Sequence, residues 1–172
     1  MLDETISLST YQAEWKEIYF QEKRVLSAVF QGNDERYEHI GSTSIEGMVA
    51  KPIIDIMIGL NSLEIDTMIE EQLKGLGYEG FGEAGVPGRL YYRKRTNPYI
   101  NLQVTIQGSS IWVHNILFRD YLRSHPEDVF KYSEVKQEIV HSGGTTLLQY
   151  SDEKAEIIQQ ILAKARKWSQ GI

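Results

Sequence analysis

The chain has no cysteine among its 172 residues. Disulfides, thiolate metal sites and thiol nucleophiles are therefore excluded. It has only four prolines, and no apolar run approaches the ~20 residues that a membrane-spanning helix needs. It also lacks excess positive charge: 18 Lys and Arg stand against 24 Asp and Glu, a net charge of −6. Broad binding to nucleic acid or to a membrane surface usually wants a basic face, so neither is expected, although a small basic pocket is compatible with that balance. Glycine-rich nucleotide loops of the Walker or dinucleotide type are missing, as is the Gly-x-Ser-x-Gly nucleophile turn. His39, His114, His125 and His141 have no metal-ligand spacing. Asp3 and Glu4 stand where a signal peptide would carry basic residues, so none is expected. A cytoplasmic protein of one domain, residues 1–172, is the expectation.

What is present is centred on residues 37–60. An apolar strand end runs into Gly41-Ser42-Thr43-Ser44, and a second strand follows Pro52. Glycine at such a turn permits positive φ or a close approach of another group. The hydroxyls that follow suit a helix cap or an anion site. Along residues 52–60, Ile54, Ile56 and Ile58 share one face, and Ile53, Asp55, Met57 and Gly59 share the other. Asp55 is thus a carboxylate on an otherwise apolar strand. It needs a partner, either a hydrogen bond from Ser42, Lys51 or a nearby Arg, or a metal ion.

The remaining pattern alternates helices and strands. Residues 10–30 read as an amphipathic helix capped by Ser9 and Gln12, interrupted at Glu22 and ended by residues 31–34. Asn61 is expected to cap a second helix with Ile65, Met68, Ile69, Leu73 and Leu76 inward. Residues 78–81 and 89–95 read as strands around a Gly-Pro loop at 82–88. Residues 99–107 alternate cleanly, with Ile100, Leu102, Val104 and Ile106 opposite Asn101, Gln103, Thr105 and Gln107. Helices then open at residues 108–110 and at Pro126, the latter with Val129, Phe130, Ser133 and Ile139 inward. Residues 142–144 form a loop, and a last helix covers about 151–168. A sheet with a hairpin and flanking helices places the chain in the α/β or α+β class, with a C-terminal helical part.

The motifs His39-Ile40-Gly41-Ser42-Thr43-Ser44 and Lys51-Pro52-Ile53-Ile54-Asp55-Ile56 resemble the signature of the GrpB family. Arg119-Asp120-Tyr121-Leu122-Arg123, His125-Pro126-Glu127 and Tyr150-Ser151-Asp152-Glu153-Lys154 extend the resemblance over nearly the whole chain. It implies a nucleotidyltransferase-like mixed sheet flanked by helices. It further implies binding of a nucleotide or nucleotide-containing metabolite, with nucleotidyl or phosphoryl transfer as the enzymatic form. Asp55 would then be the catalytic carboxylate and the ligand for Mg²⁺. Gly41, Ser42, Thr43 and Lys51 would form a phosphate-binding turn, and Tyr150 and Lys154 would line the pocket. The chain departs from that pattern at Met57, where a second acid is expected, and at Asn101 and Gln103, where a third would lie. The alternative is a ligand-sensing or partner-binding module that has lost its acids.

Arg89, Arg93 and Arg95 fall on one face of their strand, and Lys94 on the other. They are either a solvated face paired with the excess acids or a cradle for anionic groups. Arg119, Asp120 and Arg123 read as a structural charge cluster. His39 precedes the Gly-Ser turn and is within reach of a pocket there; the other three histidines read as structural.

Overall fold

The computed structural model describes residues 7–30, 36–142 and 147–171. Its elements run α1 (Glu14–Val29), β1 (Arg36–Ile40), a single 3-10 turn (Ser42–Ser44), β2 (Ile54–Leu60), α2 (Thr67–Gly75), β3 (Tyr78–Gly80), β4 (Arg89–Lys94), β5 (Ile100–Ile106), α3 (Ser110–Ser124), α4 (Pro126–His141), α5 (Leu147–Glu153) and α6 (Ala155–Ser169). The strands form one mixed sheet in the order β1-β2-β5-β4-β3. Only β2 and β5 are parallel. No described helix is long and apolar enough to cross a membrane.

The period-2 pattern of β2 and β5 decides what each face meets. Ile54, Ile56, Ile58, Ile100, Leu102 and Val104 pack under α1 and α2 with Trp15, Leu26 and Leu73. On the opposite face, Met57 joins Ile40 and Trp112 under α3. A separate apolar cluster ties α3, α4 and α6 to Ile45 and Met48, just after the 3-10 turn. The site lies between that helical cluster and the polar half of the second sheet face.

Glu22, the polar interruption in α1, is buried and accepts hydrogen bonds from Tyr78 Oη at 2.7 Å and Lys94 Nζ at 2.9 Å. Lys94 does point away from the three arginines, and this acid on the α1 side of the sheet is its partner. Paired charges of this kind are tolerated inside because each satisfies the other.

Several local expectations need correction. Helix α1 begins at Glu14 with no side-chain cap, and Gln12 instead donates to Thr10 O. Ser9 bridges Ala50 through the backbone in both directions. The cap of α2 is Asp66, which accepts from Met68 N, so residues 61–65 form a loop before it. Strand β2 starts at Ile54. Pro52 lies instead at the centre of a three-residue turn closed by Ile53 N donating to Lys51 O at 2.7 Å, for which the fixed φ of proline is suited. Phe130 is outward on α4, 64% exposed, and Tyr132 and Lys136 take the inward positions. The last helix is divided in two at Lys154. The expected stop at 31–34 and the loop glycines at 143–144 lie outside the described residues.

Candidate functional site

Strand β1 delivers the chain to Gly41, whose φ is +68°. Side chains rarely adopt that conformation. Its α-carbon also faces Asp55: a Cβ there would lie 2.6 Å from Asp55 Oδ2. The position is therefore glycine for two independent reasons.

The turn that follows is fastened on every side. Ser44 Oγ donates to Gly41 O at 2.6 Å. Arg123 of α3 donates to Ser44 O through Nε and Nη2, at 3.0 and 2.8 Å. Lys136 of α4, 1% exposed, donates to Ser42 Oγ at 3.2 Å and to Val49 O. His39 Nε2 lies 3.0 Å from Thr43 Oγ1.

Register aligns Asp55 on β2 with Asn101 on β5 and Arg93 on β4. Asn101 Nδ2 donates to Asp55 Oδ1 at 2.8 Å, and Arg95 Nη2 donates to Asn101 Oδ1 at 2.9 Å. The partner of Asp55 is therefore an amide, and none of the three expected partners holds that role. Gln103 lies one face position further on and accepts from Arg89 Nη1 at 3.4 Å. Arg89 also donates to Glu83 O and Ala84 O, so it closes the 82–88 loop against the sheet. Arg93 is stacked on the rings of Phe81 and Tyr91, 5.1 and 5.5 Å from their centroids.

The C-terminal helices supply the opposite wall. Tyr150 is buried, with Lys154 Nζ 4.6 Å from its ring centroid and Lys51 Nζ at 5.7 Å. The break between α5 and α6 puts Lys154 at the start of α6, where it lines the cavity.

These groups enclose a cavity of about 840 Å³. Gly41, Ser42, Thr43, Lys51, Asp55, Arg89, Arg93, Arg95, Asn101, Gln103, Tyr150 and Lys154 all line it. Every site residue expected from the sequence is thus brought to one place. Sequence reasoning missed Tyr91, Phe81, Tyr132, His114 and Asn115, which line it too. Tyr91 was legible, because it alternates with Arg89 and Arg93 and so shares their face. His114 carried no signal beyond helical position. His39 does not line this cavity. It stacks on Tyr19, with centroids 4.9 Å apart, and lines a separate hollow of about 530 Å³ with Arg119 and Arg123.

Among the described residues that line the main cavity, five are cationic and Asp55 is the single acid. Burial pushes the Asp55 carboxyl up, against the opposing pull of Asn101, Lys51, Lys154 and Arg95. Burial, and then Lys51, bring the Lys154 ammonium down to about 8. Lys136 is driven well below the usual lysine range, first by burial and then by Lys154 and Lys51. Such an environment favours an incoming anion.

The same donor set does not fit a resident divalent cation. Mg²⁺ demands near-octahedral oxygen ligation, usually several waters with one or two ionised carboxylates and the phosphates of a substrate. Asp55 offers one carboxylate, already bonded to an amide donor and set among cations. Met57, where the family resemblance implies a second acid, is fully buried with Ile40 and Trp112. No group of three His, Asp or Glu suited to a metal occurs among the described residues.

The chain is 28% identical to the conserved protein GrpB from Enterococcus faecalis, whose crystal structure aligns with a TM-score of 0.88 over 95% of this chain and 99% of that one. Protein YqkA of Bacillus subtilis is 35% identical over 96% of this chain, which spans about half (49%) of YqkA. The glutamate-rich protein GrpB of Alkalihalophilus pseudofirmus is 30% identical, over 91% of this chain and 94% of that protein. At the level of fold alone, the Cid1 poly(U) polymerase with MgGTP bound is similar, with a TM-score of 0.50 and 10% identity over 77% of this chain and 43% of that one. A model of the family described as GrpB protein matches residues 5–164, and the chain belongs to the GrpB family.

Proposed function

We propose that this domain binds a nucleotide or nucleotide-containing metabolite through its phosphate groups. The observation that carries the reading is the concentration of five cationic side chains around one acid in a single cavity at the Gly-Ser turn, in a chain whose overall charge is −6. Charge of one sign gathered against the sign of the whole molecule is a feature of a ligand site. Arginine and lysine both recognise phosphate, the first by paired hydrogen bonds and the second as a compact charge. The half-buried rings of Phe81 and Tyr91 at the cavity supply apolar surface for a base or other planar group. The likeness in fold to a polymerase solved with MgGTP bound supports a nucleotide as the class of ligand.

Between transfer and binding, the described residues favour a binding module. Two-metal phosphoryl transfer depends on carboxylates that hold both ions. Here the second position is Met57 in an apolar cluster, and the facing strand offers Asn101 and Gln103. The test is a thermal-shift panel of nucleoside triphosphates, diphosphates and coenzymes against the matching nucleosides. A true ligand at ~100 times its dissociation constant stabilises by about 2.7 kcal/mol. Phosphorylated members should raise the melting temperature and nucleosides should not. Equal shifts for both sets, or none for either, would remove the proposal.

A further inference from the structure

The cavity at the Gly-Ser turn holds two lysines and three arginines around a single acid. We infer that this pocket takes a polyphosphate as the metal-free anion, with Lys51 and Lys154 at the Gly-Ser turn supplying the charge that Mg²⁺ would otherwise bring. The inference rests on the reading of the cavity as a nucleotide-phosphate site, and adds the form in which the ligand enters.

Three observations on Asp55 oppose a cation there. Its Oδ1 faces the amide N–H of Asn101 at 2.8 Å, so that oxygen is directed to a hydrogen donor. Its Oδ2 lies against the Gly41 backbone, close enough that even one added methyl carbon would sit 2.6 Å away. Lys51, Lys154 and Arg95 act on it electrostatically, and each would repel a dication at that position.

The lysines themselves are placed for an anion. Lys51 and Lys154 approach the same Tyr150 ring and line the cavity. Lys136 holds Ser42 in place, and Ser42 lines the same cavity as the two lysines. Lys51 and Lys154 repel each other across this wall, and an anion between them relieves that repulsion. A free polyphosphate relieves it most. Its Mg²⁺ complex carries less negative charge and relieves less.

The experiment is calorimetric titration of the full chain with inorganic tripolyphosphate, in EDTA and in excess MgCl₂, at matched ionic strength. Tripolyphosphate should bind about tenfold tighter in EDTA, a difference the size of one charge-assisted hydrogen bond. Lys51→Gln and Lys154→Gln should each weaken binding by roughly tenfold and shrink the preference for the metal-free form. Equal affinity in the two buffers, or tighter binding with Mg²⁺, overturns the inference and leaves nucleotide binding standing. Failure of tripolyphosphate to bind, when nucleotides stabilise the protein, overturns it also. If tripolyphosphate prefers EDTA while no nucleotide stabilises the protein, the lysine anchor is upheld and the nucleotide reading alone falls. Should either variant fail to fold, the wild-type comparison of the two buffers still decides.

Discussion

Asp55 is the residue on which the competing readings differ in sign. Its carboxyl is held above the usual carboxylate range mainly by burial, so the folded protein disfavours the ionised form relative to water. A neutral isostere removes that cost and keeps the shape. Asn101 can still donate its amide N–H to the oxygen of an asparagine at position 55. Asp55→Asn should therefore leave apo stability unchanged or raise it by up to about 1 kcal/mol, measured by denaturant unfolding at pH 7. It should also tighten binding of a phosphorylated ligand, because one negative charge leaves a cationic pocket. A fall in apo stability of about 1–3 kcal/mol would instead mark a structural carboxylate, and loss of a Mg²⁺-dependent affinity would restore the metal ligand. At this scale much was legible in the sequence. Strand periodicity alone put Asp55, Asn101, Gln103, Arg89 and Arg93 on a common face once the strands were paired. What it could not give was the partner. Ser42, Lys51 and a nearby arginine were the expected donors, but the donor is Asn101, 46 residues away.

Among the elements, the ones with a strong period were the ones read correctly. Helix α4 begins at Pro126 as expected, and strand β5, Ile100–Ile106, lies within one residue of the expected 99–107 at each end. Ends were missed where two polar residues competed for one role. Asn61 and Asp66 both precede the apolar stripe of α2, and either could cap a helix. The backbone chose Asp66, which is extended at φ −64°, ψ 144° and accepts from Met68 N at 2.9 Å. Asp66→Ala should thus cost about 1 kcal/mol, whereas Asn61→Ala, outside the helix, should stay within about 0.5 kcal/mol. Urea denaturation of both variants separates them, and equal losses would refute the assignment. Phe130 failed for a different reason. Its spacing fits the inward stripe, but α4 buries Val129, Tyr132, Ser133, Lys136 and Ile139, with Ser133 and Lys136 bonded to the segment at Met48, Val49 and Ser42, and Phe130 falls outside that face. The division at Lys154 was hidden because α5 and α6 are both helical by composition. Only packing shows that the break points a lysine into the cavity.

At the scale of the whole molecule, the 3-10 turn separates two hollows. One carries the cations of the proposed ligand site, and the other is floored by His39. Thr43 borders both. His39 is 7% exposed and joins α1, β1 and α3: it stacks on Tyr19, meets Thr43, and lies beside Arg119, which donates to its carbonyl at 3.2 Å. Burial, then Arg123 and Arg119, lower its imidazole to about 3. An unfolded histidine titrates near 6.5. Between those two values the unfolded chain binds a proton that the native state refuses, so stability rises with pH across that window. The contribution is complete above about pH 6.5 and is lost as the pH falls below it, with a slope of at most about 1.4 kcal/mol per pH unit. From pH 7 to pH 5 the native state should lose roughly 2 kcal/mol from this residue alone. His39→Gln keeps a polar side chain that can still meet Thr43 and cannot take up a proton near neutrality. The variant should be less stable than wild type at pH 7, because the Tyr19 stack is lost, yet its stability should change about 2 kcal/mol less between pH 7 and pH 5. Denaturant midpoints and slopes for both proteins at pH 5, 6 and 7 measure this directly. Parallel pH profiles would show that the imidazole takes up its proton as readily in the native state as in the unfolded chain, and would refute the assignment.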